Sequence, residues 1–509
     1  MSRPTSKEAP AELRDKERLD APAADDSQDI EKSIETKERT TPTIDENTVG
    51  WDGDDDPNDP YNWPTWQKVT NCATISFLTF VTPLASSIFA PGVPLLMRDF
   101  QSTNQELAAF VVSVYILGFA FGPLIVAPLS ETYGRSPVYH ACNVGFIAFS
   151  IACAKAPTLA TLVVFRFFAG AFGSCPLTIG GGSIADMISP EKRAAAMASF
   201  SMGPLIGPIL GPVAGGALSD AKGWRWVFWV ISIVAGFAAL LMALTMRETF
   251  APVLLARKVK KLRKETGNQL LRSKLDDGLS SRERFSRAIV RPMKMLFSPL
   301  SAIFALYIAV VYGYLYLLFT SVPFIFKQYY GFSSTIVGLV YLGLGLGSFV
   351  GLGWYTSTTQ RDLKKAIERD GPGSAKPEIR LKLLPVAAFI FPVGFFIYGW
   401  TADFHTHWMG PIAGLFVIGI GNLMCFMAII MYLVDAYGMY SASALAANTV
   451  IRSIAGAVLP LCGLRMYDAL GMGWGNSLLG FIAIAMLPIP FLIIRYGERL
   501  RIKFDRKDL

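Results

Sequence analysis

Arg166 and Arg452 each fall inside a run of about 20 predominantly apolar residues, long enough to cross a bilayer. An ionised guanidinium costs about 2.5–3.5 kcal/mol at the bilayer centre on insertion scales, so each must face protein or water rather than lipid. Arg166 stands roughly eight residues into its run, about 12 Å deep at 1.5 Å per residue, and Arg452 about as far into its own. Such a cation has three uses: to contact substrate, to couple to a proton-carrying group, or to bond backbone carbonyls as a structural charge. The carboxylates Glu131, Asp186 and Asp435 lie instead near the ends of apolar runs, and no Asp or Glu is mid-run. The mid-run amides Asn422 and Asn448 can bond a neighbouring helix or a substrate. Tyr307, Tyr312, Tyr314 and Tyr316, with Phe319 and Phe324, crowd one run. Apolar walls with a few hydroxyls suit bulky, aromatic or cationic compounds, with Tyr312 and Tyr316 as substrate contacts; an interfacial aromatic belt is the alternative.

Other chemistries find no support. The six cysteines form no C-x-x-C pair, have no histidine beside them at ligand spacing, and read as buried packing residues in apolar stretches. The dipeptide Gly-Lys is absent, so there is no Walker A loop. No clustered catalytic set stands in the apolar runs. The expectation is no metal, no cofactor and no enzymatic activity.

The elements that must hold these residues are membrane helices. The chain has 509 residues, 52% hydrophobic and 17% charged, against about 25% charged in soluble domains. Apolar runs recur near 69–90, 107–130, 137–155, 158–186, 194–219 and 224–245, then 299–326, 333–357, 382–402, 408–434, 441–466 and 474–495. Each is long enough for about 30 Å of hydrocarbon. The class is therefore an all-α integral membrane protein of twelve transmembrane helices, with the lipid bilayer as solvent. The net charge of +8 resides mostly between the runs, which points to topology rather than nucleic acid. The segments 246–298, 358–381 and 496–509 are dense in Lys and Arg, whereas Asp403–His407 and Asp468–Gly473 are nearly devoid of them. The positive-inside rule then puts both termini in the cytoplasm. Residues 1–66 are polar, Pro-rich and of mixed charge, and read as a disordered tail. The 247–298 linker separates two blocks, 67–246 and 299–495, and 496–509 forms a short tail. Leu255, Val259 and Leu262 have helical spacing amid basic residues, so the linker either lies on the anionic inner leaflet or is a solvated connector. Arg193-Ala-Ala-Ala-Met-Ala and Ser441-Ala-Ser-Ala-Leu-Ala open corresponding runs of the two blocks, a six-plus-six repeat of the kind seen in transporters.

The fifth run contains Gly203-Pro204, Gly207-Pro208 and Gly211-Pro212, followed by Gly215-Gly216. Glycines four apart make a groove that another helix can enter closely, and the prolines remove backbone donors and bend the helix. This segment resembles the antiporter motif of the major facilitator superfamily, matched by Gly207, Gly211, Pro212, Gly215 and Gly216. Ala127 to Pro137 is similar to the loop motif after the second helix, with Glu131 for its Asp, and with Gly134 and Arg135 matching. Ala127, Thr132 and Ser136 depart from it. Leu162, Arg166 and Gly170 resemble the helix-four motif, with Ala169 where Gln is usual. Asp56-Pro57, Asp59-Pro60, Asn62-Trp63-Pro64, Trp224 to Trp229 and Arg247 to Pro252 are similar to segments of fungal twelve-helix drug:proton antiporters. The resemblance covers about 51–495.

It implies two pseudo-symmetric six-helix bundles and export of small amphipathic molecules such as drugs, toxins or secondary metabolites, in exchange for protons. Arg166, Glu131, Asp186 and Arg135 become the proton-coupling and gating candidates, with Glu131 alternatively docking at the start of the eleventh helix, where the dipole favours an anion. Tyr312, Tyr316, Asn422, Asn448 and Arg452 are the substrate candidates. A monomer in the plasma membrane is expected, the vacuolar membrane being the alternative. A proton-coupled nutrient importer and a transporter-like sensor are the rival readings. The Gly-Pro-rich fifth helix argues against the first, and the lack of a patterned appended domain against the second.

Overall fold

The computed structural model describes residues 47–503 apart from 54, 190, 191, 277, 279, 280, 371–375 and 438–440. Most of the tail expected to be disordered, 1–46, lies outside the described residues, as does 504–509. Among the described residues, eleven helical stretches are long and apolar enough to cross a membrane. The last, Ser443–Gly497, has 55 residues, about 80 Å of helix against about 30 Å of hydrocarbon. Gly471 resolves the mismatch. Its φ of 76° and ψ of 173° break the helix, a conformation open to a residue without Cβ. The Asp403 carboxylate accepts the Met472 N–H at 3.1 Å, and Tyr467 Oη donates to Asn476 across the turn at 3.1 Å. The stretch is thus two spans, the eleventh before Gly471 and the twelfth after it, which makes twelve.

The first span is Thr65–Ser87 and the chain re-coils through Val93–Asp99. The second is Gln105–Tyr133 and the third Arg135–Ala154. The fourth is broken at Ser174 into Leu159–Gly173 and Cys175–Met187, since Pro176 cannot continue the hydrogen-bond ladder. The fifth and sixth are Arg193–Lys222 and Arg225–Thr245. Pro299–Tyr330 and Ser334–Asp370 are the seventh and eighth, Leu384–Asp403 and Met409–Tyr437 the ninth and tenth. The eighth continues well into the basic segment expected to be a loop from residue 358, because Lys and Arg are good helix formers once clear of the hydrocarbon.

The packing repeats between halves. The first span lies on the fifth, the second on the fourth and the third on the sixth; correspondingly the seventh lies on the eleventh, the eighth on the tenth and the ninth on the twelfth. Between halves, the second packs along the eleventh and the fifth along the eighth, which the same exchange of halves relates. This is the two-bundle architecture with its pseudo-twofold. Ile233, Phe237, Leu240 and Leu244 form an outward apolar stripe on the sixth span, each more than half exposed, as lipid contact requires.

The connection between halves is more built than a loop. Ala251–Thr266 is a helix ended by Gly267, and Ser281–Leu296 is another. Leu255 and Val259 of the former are buried, and the helix packs on the second span and on a two-residue parallel strand pair, Thr48–Val49 with Arg272–Ser273. Its apolar stripe is thus covered by protein. Asp56 organises the strap that carries the first of those strands. Its carboxylate accepts the Asp52 and Asn58 N–H groups at 3.0 and 2.8 Å and pairs with Lys258 at 3.7 Å. Those backbone donors hold it below the usual carboxylate range. Asp59 caps the turn Pro60–Asn62, and Tyr61 Oη donates to the Ala185 carbonyl at the end of the fourth span.

Candidate functional site

Midway between the halves, one polar and aromatic network crosses from the first block to the second. Arg166, 1% exposed, donates from Nη2 to the carbonyls of Ser86 and Val112 at 3.3 and 3.4 Å. Its guanidinium lies over the rings of Phe89, Tyr115 and Phe228 at 5.2, 5.3 and 5.7 Å. Aromatic faces attract a cation best where water is excluded. Ser86 Oγ lies 3.1 Å from Tyr316 Oη, so the contact passes to the seventh span. The Tyr316 and Tyr312 rings are 5.0 Å apart, and Arg452 sits over Tyr312 and Phe426 at 5.0 and 5.2 Å. Ser113 on the second span donates to the Ala457 carbonyl on the eleventh at 2.9 Å, closing the same layer.

Tyr312 and Tyr316, one turn apart, share the central face of the seventh span. Tyr307 and Tyr314 do not. At about 100° per residue they lie within about 20° of each other and roughly opposite Tyr312. Tyr307 faces Cys425 of the tenth span, and Tyr314 stacks on Phe391 and meets Phe395 edge-on, both of the ninth, and donates to the Leu479 carbonyl. The run of tyrosines therefore divides between the centre and the interior of the second bundle. Asn422 donates to the Val311 carbonyl at 3.0 Å, an interhelical bond. Asn448 is fully buried, and neither its amide oxygen nor its nitrogen has a hydrogen-bond partner among the described residues. Five of the cysteines are buried as expected, but Cys462 is exposed on the eleventh span, because a bilayer accepts an outward thiol that water would disfavour.

A second cluster gathers at the linker end. Arg135 Nε meets Asp186 at 3.2 Å, its Nη1 donates to Ser130 Oγ at 2.8 Å, and its guanidinium covers the Phe250 ring at 4.6 Å. Glu248, which is not among the candidates the sequence singled out, is the hub. Its carboxylate accepts the backbone N–H groups of Arg135, Ser136, Thr249 and Phe250 at 2.8, 3.3, 3.0 and 3.0 Å. Gly134, with φ of 102°, leaves its missing Cβ where that carboxylate sits. The signal for Glu248 was present in the Arg247 to Pro252 stretch. Glu131 is exposed and makes no ion pair with a described residue. The residues just before the eleventh span, 438–440, lie outside the described residues, and with them part of the surface on which it would dock. Asp435 pairs with Arg380 at 2.7 Å.

At the opposite end the halves meet directly. Arg465 pairs with Glu106 at 2.8 Å, and Asp220 on the fifth span accepts the N–H and Oγ1 of Thr335 on the eighth, each at 2.7 Å. A Cβ on Gly216 would collide with the Ser334 carbonyl. Gly207, Gly211 and Gly215 instead face the first span. Their missing Cβ atoms make room for Leu84, Ser87 and Ile88, with Pro212 in the same helix passing close to Gly338 of the eighth. The Gly-Pro segment is thus wedged between an intra-half and an inter-half contact. Trp224 Nε1 donates to Asp99 at 2.8 Å, fastening the re-coiled chain after the first span to the sixth.

Comparison with known proteins agrees with this geometry. The family model of the Major Facilitator Superfamily matches residues 75–460. The MFS-type transporter tndD of Aspergillus flavipes is 53% identical over 476 residues, 93% of this chain and 88% of that protein. The efflux pump radE of Floropilus chiversii is 50% identical over 90% of this chain and 85% of its own length. Among solved structures, the partially occluded inward-open xylose transporter XylE of E. coli aligns with a TM-score of 0.62 at 13% identity, covering 85% of this chain and 98% of that one. A bacterial homologue of the lysosomal transporter Spinster aligns with a TM-score of 0.59 at 14% identity, over 87% and 99%. At such identities the structural likeness shows the fold alone. The match over most of the chain and relatives at half identity, on a twelve-span body of two related halves, lead to one conclusion: the chain belongs to the major facilitator superfamily and is a multi-pass membrane transporter.

Proposed function

We propose that the protein exports small amphipathic organic molecules in exchange for protons, the two halves rocking about the central network so that the site opens to one side at a time. The observation that carries this reading is the continuous path from Arg166 through Ser86, Tyr316 and Tyr312 to Arg452, because relative motion of the halves must break or re-form it. The name efflux pump of a relative and the Gly-Pro wedge of the fifth span support the outward direction. In this scheme 67–246 and 299–495 are the moving bundles and 247–298 is the linker. The basic linker and both termini lie in the cytoplasm, and one chain in the plasma membrane suffices. Asp186 and Arg135 are the proton-linked gate at the linker end. Loss of the Asp186 charge on protonation frees Arg135 and weakens that gate. Arg166 acts through the backbone of the first and second spans, since among the described residues no carboxylate pairs with it.

The test is transport of a panel of fluorescent amphipathic compounds in vesicles with an imposed pH gradient, with and without a protonophore. Arg166→Lys keeps the charge but loses the planar donor fork. Losing one charge-assisted hydrogen bond costs about 1.5–3 kcal/mol, so its rate should fall roughly tenfold or more. Arg166→Ala should bind the compounds yet fail to concentrate them. Wild-type transport indifferent to the protonophore sinks proton exchange, and an undiminished Arg166→Ala sinks the role given to the residue.

A further inference from the structure

The central site contains two cations and no described anion. Arg166 is enclosed by rings and by the two carbonyls that hold its Nη2, although its Nε has no partner. Arg452 differs. It is half-buried, rests over Tyr312 and Phe426, and makes no hydrogen bond or ion pair with a described residue, its buried Nε being unpartnered. Asn448 precedes it by one helical turn, so the two side chains share a face of the eleventh span. Asn448 is wholly buried with both amide atoms unpartnered.

Buried polar atoms of a folded chain are nearly always bonded, and a cation inside a membrane protein normally pairs. The described carboxylates of the spans are committed or remote. Asp186 is held by Arg135, Asp435 by Arg380, Glu106 by Arg465, and Asp220 by Thr335, all near span ends. We propose that Arg452 and Asn448 form the recognition point for an organic anion: a carboxylate or comparably acidic group on an apolar ring body, the acid on the Arg452 guanidinium, a neighbouring polar group on Asn448, and the ring against Tyr312 and Phe426. This rests on the export reading and sharpens it. Arginine's planar donors match a carboxylate two-to-two, and the ring faces beside it offer the apolar body a surface. The aromatic lining taken from the sequence alone to suit cationic compounds is thereby assigned the opposite charge. A cation entering this site would meet two guanidiniums and no counter-charge.

The experiment uses the purified full chain in detergent at pH 7. Its melting temperature is measured with matched probes on naphthalene, biphenyl and indole scaffolds, each as the acetic acid, its methyl ester and the corresponding ethylamine. The acids should raise the melting temperature at concentrations at least tenfold below those at which esters or amines do. Arg452→Gln should remove that preference. Asn448→Asp, nearly isosteric, supplies an internal carboxylate one turn from Arg452, so it should reject the acids and gain affinity for the amines. Equal or better stabilisation by esters or amines, no stabilisation by any acid, or an unchanged preference in both variants overturns the anion site. The same probes are then followed in vesicles with a pH gradient. Acids that bind but are not moved by the gradient defeat the export reading and leave the anion site standing. Gradient-driven movement of amines or esters in preference to acids does the reverse.

Discussion

Glu248 shows what one side chain contributes at the linker end. Its side chain is 5% exposed and lies where the third span and the linker helix both begin, so its charge meets the positive ends of two helices as well as four backbone donors. Hydrogen bonds to a charged acceptor are worth about 1.5–3 kcal/mol each at most, and several here share one carboxylate. Glu248→Gln keeps the volume and one accepting oxygen but loses the charge. We expect it to destabilise the protein by about 1–3 kcal/mol, read as a lowered melting temperature of the purified chain, and to loosen the Arg135–Asp186 pair beside it. Glu265, on the exposed face of the linker helix, provides the control. Equal effects of Glu265→Gln and Glu248→Gln would show that the hub carries nothing.

At the scale of the element, the fifth span depends on having no side chains on one face. A Cβ at Gly215 would lie far inside van der Waals contact with the Ile88 carbonyl oxygen, and that oxygen is backbone and cannot swing aside. Forcing methylenes into a packed contact costs about 1–3 kcal/mol. That is enough to separate the first and fifth spans without unfolding twelve helices. Gly215→Leu should therefore reach the membrane and fail to transport, whereas Gly236→Leu on the sixth span, where nothing stands within 4 Å, should transport normally. Export by Gly215→Leu at the wild-type rate would reduce the glycine groove to bystander packing. The linker helix carries a different lesson. Its apolar spacing was legible, but the partner of Leu255 and Val259 was not, because the strand and strap that cover it arrive from about 200 residues earlier in the chain.

At the scale of the whole molecule, the halves touch at the end away from the linker through Arg465 and Glu106 and through Asp220 and Thr335. The Asp220 carboxylate and the Thr335 hydroxyl meet at 2.7 Å across the two halves, which makes the two positions the natural pair for a cysteine cross-link at this end. In the double variant Asp220→Cys/Thr335→Cys, oxidation should stop transport and a reductant should restore it. The single variants should be indifferent to both. Continued transport by the cross-linked protein would mean that this contact does not part during the cycle, against the rocking motion proposed. The far-end contacts also explain the division of the glycines: Gly216 belongs to the interface between the halves and Gly215 to the body of one half.

The sequence by itself determined the solvent of this protein and the number of its spans, because insertion into a bilayer is judged segment by segment and each apolar run carries its own evidence; its family was legible in short motifs such as Gly207 to Gly216. It also singled out Arg166 and Arg452, since a charge within such a run is anomalous without knowledge of any neighbour. Only the tertiary structure decided what those charges meet. Arg166 reaches carbonyls 80 and 54 residues away in sequence, not a carboxylate. Four tyrosines of one helix part into two environments by their angle around its axis. Asn422 and Asn448, alike in the sequence, separate into a bonded amide and an unpartnered one. The physical reason is common to all three. Hydrophobicity is a sum over a segment, but a polar contact in a helical bundle depends on which faces of distant helices meet, and that follows from packing the whole chain.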